Sequence, residues 1–133
     1  MNKKELTPGL SVGPQIQPDD MQTLADSGFR SIICNRPDGE SPGQPAFEQI
    51  NSAAKALNIV ARHIPVEPGN ISTQDVDNFN SALLELPGPT FAYCRTGFRS
   101  QKLWSLTQPA TNPLSSLIKT VKEAGAGVLR ARR

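Results

Sequence analysis

Aromatic side chains are scarce in this chain of 133 residues: five Phe, one Tyr and one Trp, or 5% of the total. Hydrophobic residues reach only 37%, so the core has to be built mainly from Ile, Leu, Val and Ala. Histidine occurs once, as His63, with no second His or Cys at metal-ligand spacing. No metal and no cofactor are therefore expected; a half-buried, hydrogen-bonded strand histidine is. Charge of one sign is also missing, since 14 Lys and Arg face 12 Asp and Glu for a net +2. No basic stripe carries interleaved aromatics, which argues against nucleic acid as a partner. No apolar run approaches the length of a bilayer span, which excludes a membrane helix. Residues 1–6 are charged and lack an apolar centre, so no secretory signal is expected. Cysteine is limited to Cys34 and Cys94, which without export read as reduced thiols. A cytoplasmic enzyme is the simplest class. The length suits one domain that buries about two-thirds of its unfolded surface, with a core over about residues 9–106 and a carboxyl-terminal helix and basic tail over 107–133.

What the chain does have is concentrated between residues 89 and 104. Thr90, Phe91, Ala92 and Tyr93 form a short apolar run of the kind found in a buried strand. Cys94, Arg95, Thr96, Gly97, Phe98 and Arg99 follow as a loop, then Ser100 and a segment able to form a helix, with Leu103 and Trp104 as apolar cover. A strand, a tight loop and a helix start aim several backbone N–H groups at one point and make an anion site there. A thiol at its rim feels the same field, which favours the nucleophilic thiolate. Arg99 adds a fixed charge and a planar fork suited to an oxyanion. Gly97 lets the backbone turn and approach a ligand closely. The Ser100 hydroxyl is placed to donate to the Cys94 sulfur or to serve the helix start.

The rest of the chain alternates. Residues 10–12 read as a strand, and Pro18, Asp19 and Asp20 open a helix that Gly28 stops. A strand over 30–34, a turn-rich loop over 35–45, a helix over 47–57 and a strand over 59–64 come next. Ser72 caps a further helix, with Asp75 at the reciprocal position and Val76, Phe79, Leu83 and Leu84 facing inward. Residues 86–89 break it. After residue 106, Asn112 and Pro113 open a short covering helix through Leu114, Leu117, Ile118 and Val121, and residues 130–133 form a basic tail. This alternation predicts an α/β fold: a mainly parallel central sheet flanked by helices. Ligands bind off the carboxyl ends of such strands, so the loops 35–45, 66–71 and 94–99 share one rim.

That rim defines the remaining candidates. Arg36 shapes it, and Asp38, beside Glu40, is a candidate general acid; turn formation alone would also explain such residues. Glu67 is a second candidate acid, from the loop between the third strand and third helix. Cys34 ends a strand beside that of Cys94 and is a candidate redox partner, provided the two Cα atoms come within about 7 Å; a small buried apolar residue is the alternative.

Taken together, residues 94–100, Leu10 to Ile16, Asn35 to Glu40, His63 to Val66 and Leu103–Trp104 resemble, in the same order, the phosphatase-like domain of beta-lactamase-hydrolase-like proteins. The resemblance implies a fold similar to the dual-specificity phosphatases, of the phosphotyrosine protein phosphatase type. It also implies that Cys94 attacks phosphorus, Arg99 holds the equatorial oxygens and a loop acid protonates the leaving group. Glu67 stands where the phosphatases of this fold usually carry Asp. The loop departs from their pattern as well: four residues, not five, separate Cys94 from Arg99, which makes a tighter cradle. In this it is similar to rhodanese-type sulfurtransferase loops, where the cysteine carries a sulfane sulfur and the loop amides, here those of Arg95, Thr96, Gly97 and Phe98, stabilise a smaller anion. Some relatives are joined to a persulfide-oxidising metallo-hydrolase domain, absent from these 133 residues, so a separate persulfide-oxidising enzyme would act in trans. Three readings follow: a sulfurtransferase forming a persulfide on Cys94, taken first; a phosphatase with a Cys94 phospho-intermediate; and a non-catalytic anion-binding module. The substrate would be a small sulfane-sulfur compound or a phosphoester.

Overall fold

Five short strands make one sheet in the spatial order β1–β2–β5–β3–β4. The computed structural model describes residues 1–109; the helix expected over 114–121 and the basic tail lie outside them. The strands are β1 (Lys4–Thr7), β2 (Leu10–Gly13), β3 (Ser31–Cys34), β4 (Val60–His63) and β5 (Thr90–Tyr93), and the helices are α1 (Met21–Asp26), α2 (Phe47–Ala56), α3 (Thr73–Glu85) and α4 (Phe98–Thr107). A 3-10 turn over Pro18–Asp20 leads into α1. The central strand β5 pairs in parallel with β2 on one side and β3 on the other, and β4 extends the sheet in parallel beyond β3. The mainly parallel sheet expected from the alternation is therefore present.

Period-two alternation sorts the side chains of β3 and β5 onto two faces. Ile32, Cys34, Phe91 and Tyr93 pack with Met21, Leu24, Ile50 and Ala54 under α1 and α2. Ile33 and Ala92 pack with Leu10, Val12, Phe79, Ala82 and Leu103 under α3 and α4. Both faces of the sheet are covered, which is why its inner strands read as continuous apolar runs. At the start of the central pair, the buried hydroxyls of Ser31 and Thr90 satisfy each other at 2.7 Å.

Helix α3 begins as expected: Ser72 Oγ accepts from the Asp75 N–H at 3.0 Å and the Asp75 carboxylate accepts from the Ser72 N–H at 2.9 Å. Of its expected inward stripe, Phe79 is buried and Val76 and Leu83 pack against the core, whereas Leu84 is 72% exposed, because the register set by Phe79 turns position 84 to solvent. Strand β1 was not anticipated. It is antiparallel to β2, with an irregularity between Glu5 and Thr7, and its charged, half-exposed composition carries no apolar alternation. No helix among the described residues is long and apolar enough to cross a membrane.

Candidate active site

The site is built at the carboxyl end of β5. The Cys94 N–H continues the ladder to the Gly13 carbonyl at 3.4 Å. The chain then turns sharply at Gly97, which caps α4 with φ 98°. A Cβ at Gly97 would lie 3.1 Å from the Gly13 carbonyl carbon and 3.2 Å from its oxygen. Left-handed backbone and lack of space thus both demand glycine. Gly97→Ala is expected to destabilise the fold by roughly 2 kcal/mol or more, read from urea unfolding; an unchanged midpoint would contradict this account. The turn aims the Gly97 N–H at Cys94 Sγ, 3.1 Å away. The first amides of α4 have no carbonyl one turn earlier to donate to. Cys94 is 1% exposed and sits beneath the loop.

Arg99, in the first turn of α4, is 7% exposed. Its Nη1 donates to Glu40 Oε2 and to the Val66 carbonyl, each at 2.8 Å, and its Nη2 donates to Glu40 Oε1 at 2.9 Å. Arg36 reaches the same carboxylate through Nε at 2.9 Å, while its Nη1 and Nη2 donate to Gln15 Oε1 and Ser41 Oγ, each at 3.0 Å. Two guanidinium groups share one carboxylate, which leaves the cluster with a surplus positive charge suited to a thiolate or an oxyanion. Burial works against the Arg99 charge, but the Glu40 hydrogen bonds and the Cys94 sulfur more than offset it and hold its pKa above the ordinary value. The Arg99 hydrogen bonds, with help from Arg36, hold the Glu40 carboxyl below the usual range despite its partial burial. A depressed carboxyl stabilises the fold above its unfolded-state pKa, and that contribution disappears as pH falls through the folded value. The Tm difference between wild type and Glu40→Gln should therefore be largest near neutrality and shrink once the pH drops below the carboxylate range; a constant difference would count against it.

The sequence candidates separate at this point. Ser100 does not serve the sulfur: its hydroxyl donates to Asn35 Oδ1 at 2.8 Å, and Asn35 Nδ2 donates to the Ile64 carbonyl at 3.0 Å. A hydroxyl has one proton, and the fully buried Asn35 takes it. Asp38 is exposed, and its carboxylate accepts from the Phe47 N–H at 2.9 Å at the start of α2. It is a helix-start residue and lies outside the cleft beside Cys94. Arg36 is a support for Glu40 and does not form the rim. The Cys34 thiol donates to the Arg36 carbonyl at 3.3 Å and packs with Phe91 and Tyr93, where burial pushes its pKa up. Both cysteines are buried free thiols in this structure. His63 is half-buried, bonds the Arg36 carbonyl at 2.9 Å and stacks on Phe47 at 4.7 Å, as its strand context suggested.

A cleft of about 700 Å³ opens over the loop, bordered by Glu67, Ile71, Arg95, Thr96, Phe98 and Lys102, with Glu40 and Arg99 at its wall. Glu67, Arg95, Thr96 and Phe98 thus share one surface, as expected. Glu40 was the omission. It was noted only as a neighbour of Asp38, although its place four residues after Arg36, in a loop facing a second arginine, was a signal that a buried cation would need it.

A mainly parallel sheet with a cysteine loop closing on a helix N-terminus and an arginine defines a phosphatase-like domain of the protein tyrosine phosphatase kind. Residues 2–111 match the family profile of the beta-lactamase hydrolase-like protein, phosphatase-like domain, and the chain belongs to that family. A beta-lactamase hydrolase-like protein of Agrobacterium fabrum is 40% identical over 97 residues, covering 73% of this chain and 22% of that protein. One from Xylella fastidiosa is 31% identical over 99 residues, 74% of this chain and 23% of that one. The chain thus spans less than a quarter of these relatives. The crystal structure of a candidate phosphatase from Neisseria meningitidis is 34% identical with a TM-score of 0.76, covering 92% of this chain and 87% of its own. The catalytic core of a PP-IP phosphatase from S. cerevisiae, 18% identical with a TM-score of 0.57 over 73% of this chain and 57% of its own, shares the fold.

Proposed function

We propose that this chain is a cysteine-dependent phosphatase that hydrolyses phosphoesters through a phosphocysteine at Cys94. The observation that carries the reading is the Gly97 N–H donating to Cys94 Sγ at the start of α4, beside the Arg99 guanidinium. An amide donor stabilises the sulfur as an anion, and the thiolate is the nucleophile. In the first step a sulfur–phosphorus bond forms and the ester phosphorus–oxygen bond breaks. The leaving oxygen takes a proton from Glu67, the acid on the cleft surface, in its carboxylic form. In the second step water attacks phosphorus, the sulfur–phosphorus bond breaks, and Glu67 accepts the water's proton. Arg99 and the loop amides meet the equatorial oxygens throughout. The likeness to the Neisseria meningitidis candidate phosphatase supports this order of readings over the one the loop length favours.

Sulfur transfer through a Cys94 persulfide is the second reading. The four-residue spacing to Arg99 and the 1% exposure of Cys94 favour it, since both suit a small anion. One experiment separates them: the protein is given an aryl phosphate and, in parallel, thiosulfate. Vanadate-sensitive phosphate release with no sulfur mass added to Cys94 is expected. A persulfide adduct without phosphate release would move the assignment to sulfur transfer. Neither reaction, with tungstate still bound, would leave an anion-binding module.

A further inference from the structure

The cleft over the Cys94 loop has room for more than a phosphoryl group. Its volume of about 700 Å³ is that of a site for a drug-sized molecule, whereas the Cys94–Arg99 cradle meets only the phosphoryl oxygens. Helix α4 supplies one bank. Phe98, Lys102 and Leu106 recur every four residues and form one exposed stripe beside the cleft, as helical spacing requires. The loop carrying Glu67 and Ile71 forms the facing bank. Charge on this lining does not cancel. Glu40, at the wall, is taken by Arg99 and Arg36. The Arg95 and Lys102 side chains are exposed, and neither pairs with a carboxylate among the described residues, where the ion pairs use Arg36, Arg62 and Arg99. Of the described residues lining the cleft, Glu67 is the one remaining acid, and it enters the first step in its neutral form. Two uncompensated cations therefore border the space outside the cradle.

Resting on the phosphatase reading of the Cys94–Arg99 site, we propose that the cleft takes a small phosphoester carrying a second anionic group, which Lys102 and Arg95 receive while the scissile phosphoryl lies in the cradle. Lys102 stands three residues beyond Arg99, about 4.5 Å farther along the helix axis, and its flexible stem lets the ammonium adjust to the ligand. The second anion is thus held apart from the reacting phosphorus, within the leaving group. Phe98 and Ile71 offer apolar surface to the body between the two charges. An ester with an uncharged body would fill the same cradle and leave both cations bare. The subsite selects the ester and takes no part in breaking the bond.

The test compares two esters of one size on the full chain: para-(carboxymethyl)phenyl phosphate and its uncharged amide, para-(carbamoylmethyl)phenyl phosphate. Wild type should favour the acid by about 10-fold in kcat/KM, the worth of a charge-assisted hydrogen bond, and added salt should erode that preference. Lys102→Gln should lower kcat/KM for the acid more than for the amide, so that the preference falls to about threefold. Lys102→Arg keeps the charge and should keep the preference. Equal rates for the two esters in wild type would overturn the proposal. A Lys102→Gln loss shared equally by both esters would also overturn it, since the residue would then be merely structural. Phosphate release from neither ester would remove the phosphatase reading and this inference with it, whereas equal release from both removes the inference alone.

Discussion

Serine in place of Cys94 is expected to bring phosphate release to background, a loss of roughly 10⁴-fold or more in kcat. The difference is one of nucleophile, since a serine hydroxyl does not ionise where a thiol does and needs an adjacent base. No base is at hand. His63, the single histidine, has Nε2 committed to the Arg36 carbonyl and its ring stacked on Phe47. The fold should survive the change, because the atoms differ little in size and Cys94 belongs to neither hydrophobic cluster. Tungstate binding should survive too, as the amides and Arg99 remain. Turnover above a tenth of wild type in Cys94→Ser, with contamination excluded, would show that the sulfur is not the attacking atom.

The second large effect is expected from Arg99→Lys. The charge is conserved, but an ammonium cannot grip Glu40 at two points, reach the Val66 carbonyl and still present two parallel donors. A loss of about 10²–10³-fold in kcat/KM is expected, comparable to removing one preorganised oxyanion donor. It should appear in kcat as much as in KM, because a planar fork matches the flattened, metaphosphate-like group of the transition state better than the ground-state ester. The melting temperature should fall as well, since Glu40 would keep only Arg36 as a fixed partner. A variant within threefold of wild type in kcat/KM would remove Arg99 from the chemistry.

The alternation of elements and the Cys94–Arg99 loop were legible because local rules wrote them. Apolar runs of four residues, Gly and Pro punctuation, and the Ser72–Asp75 capping box each depend on neighbours in sequence. Strand β1 was not legible, since an edge strand needs only one bonded neighbour and can carry Lys4 and Glu5 in water. The roles of Ser100, Asp38 and Glu40 were not legible either, for a different reason. Each is decided by a contact across the chain: Ser100 with Asn35, Asp38 with the Phe47 amide, Glu40 with Arg99. A sequence separation of 59 between Glu40 and Arg99 leaves no periodic trace. The loop length pointed toward a smaller anion and sulfur chemistry; the family and its structural relatives favour the phosphoryl alternative instead.

Gln15, just past the end of β2, joins two parts of the molecule that the sequence keeps far apart. Its N–H donates to the Arg95 carbonyl at 3.2 Å and its side-chain oxygen accepts from Arg36 at 3.0 Å. The nucleophile's turn and the segment bearing the arginine clamp are therefore bolted to a common post and shift together or not at all. The opposite bank, residues 67–70, lies in water. On the phosphatase reading that bank carries Glu67, so the proton donor is free to follow leaving groups of different size while the nucleophile's turn and the arginine stay put.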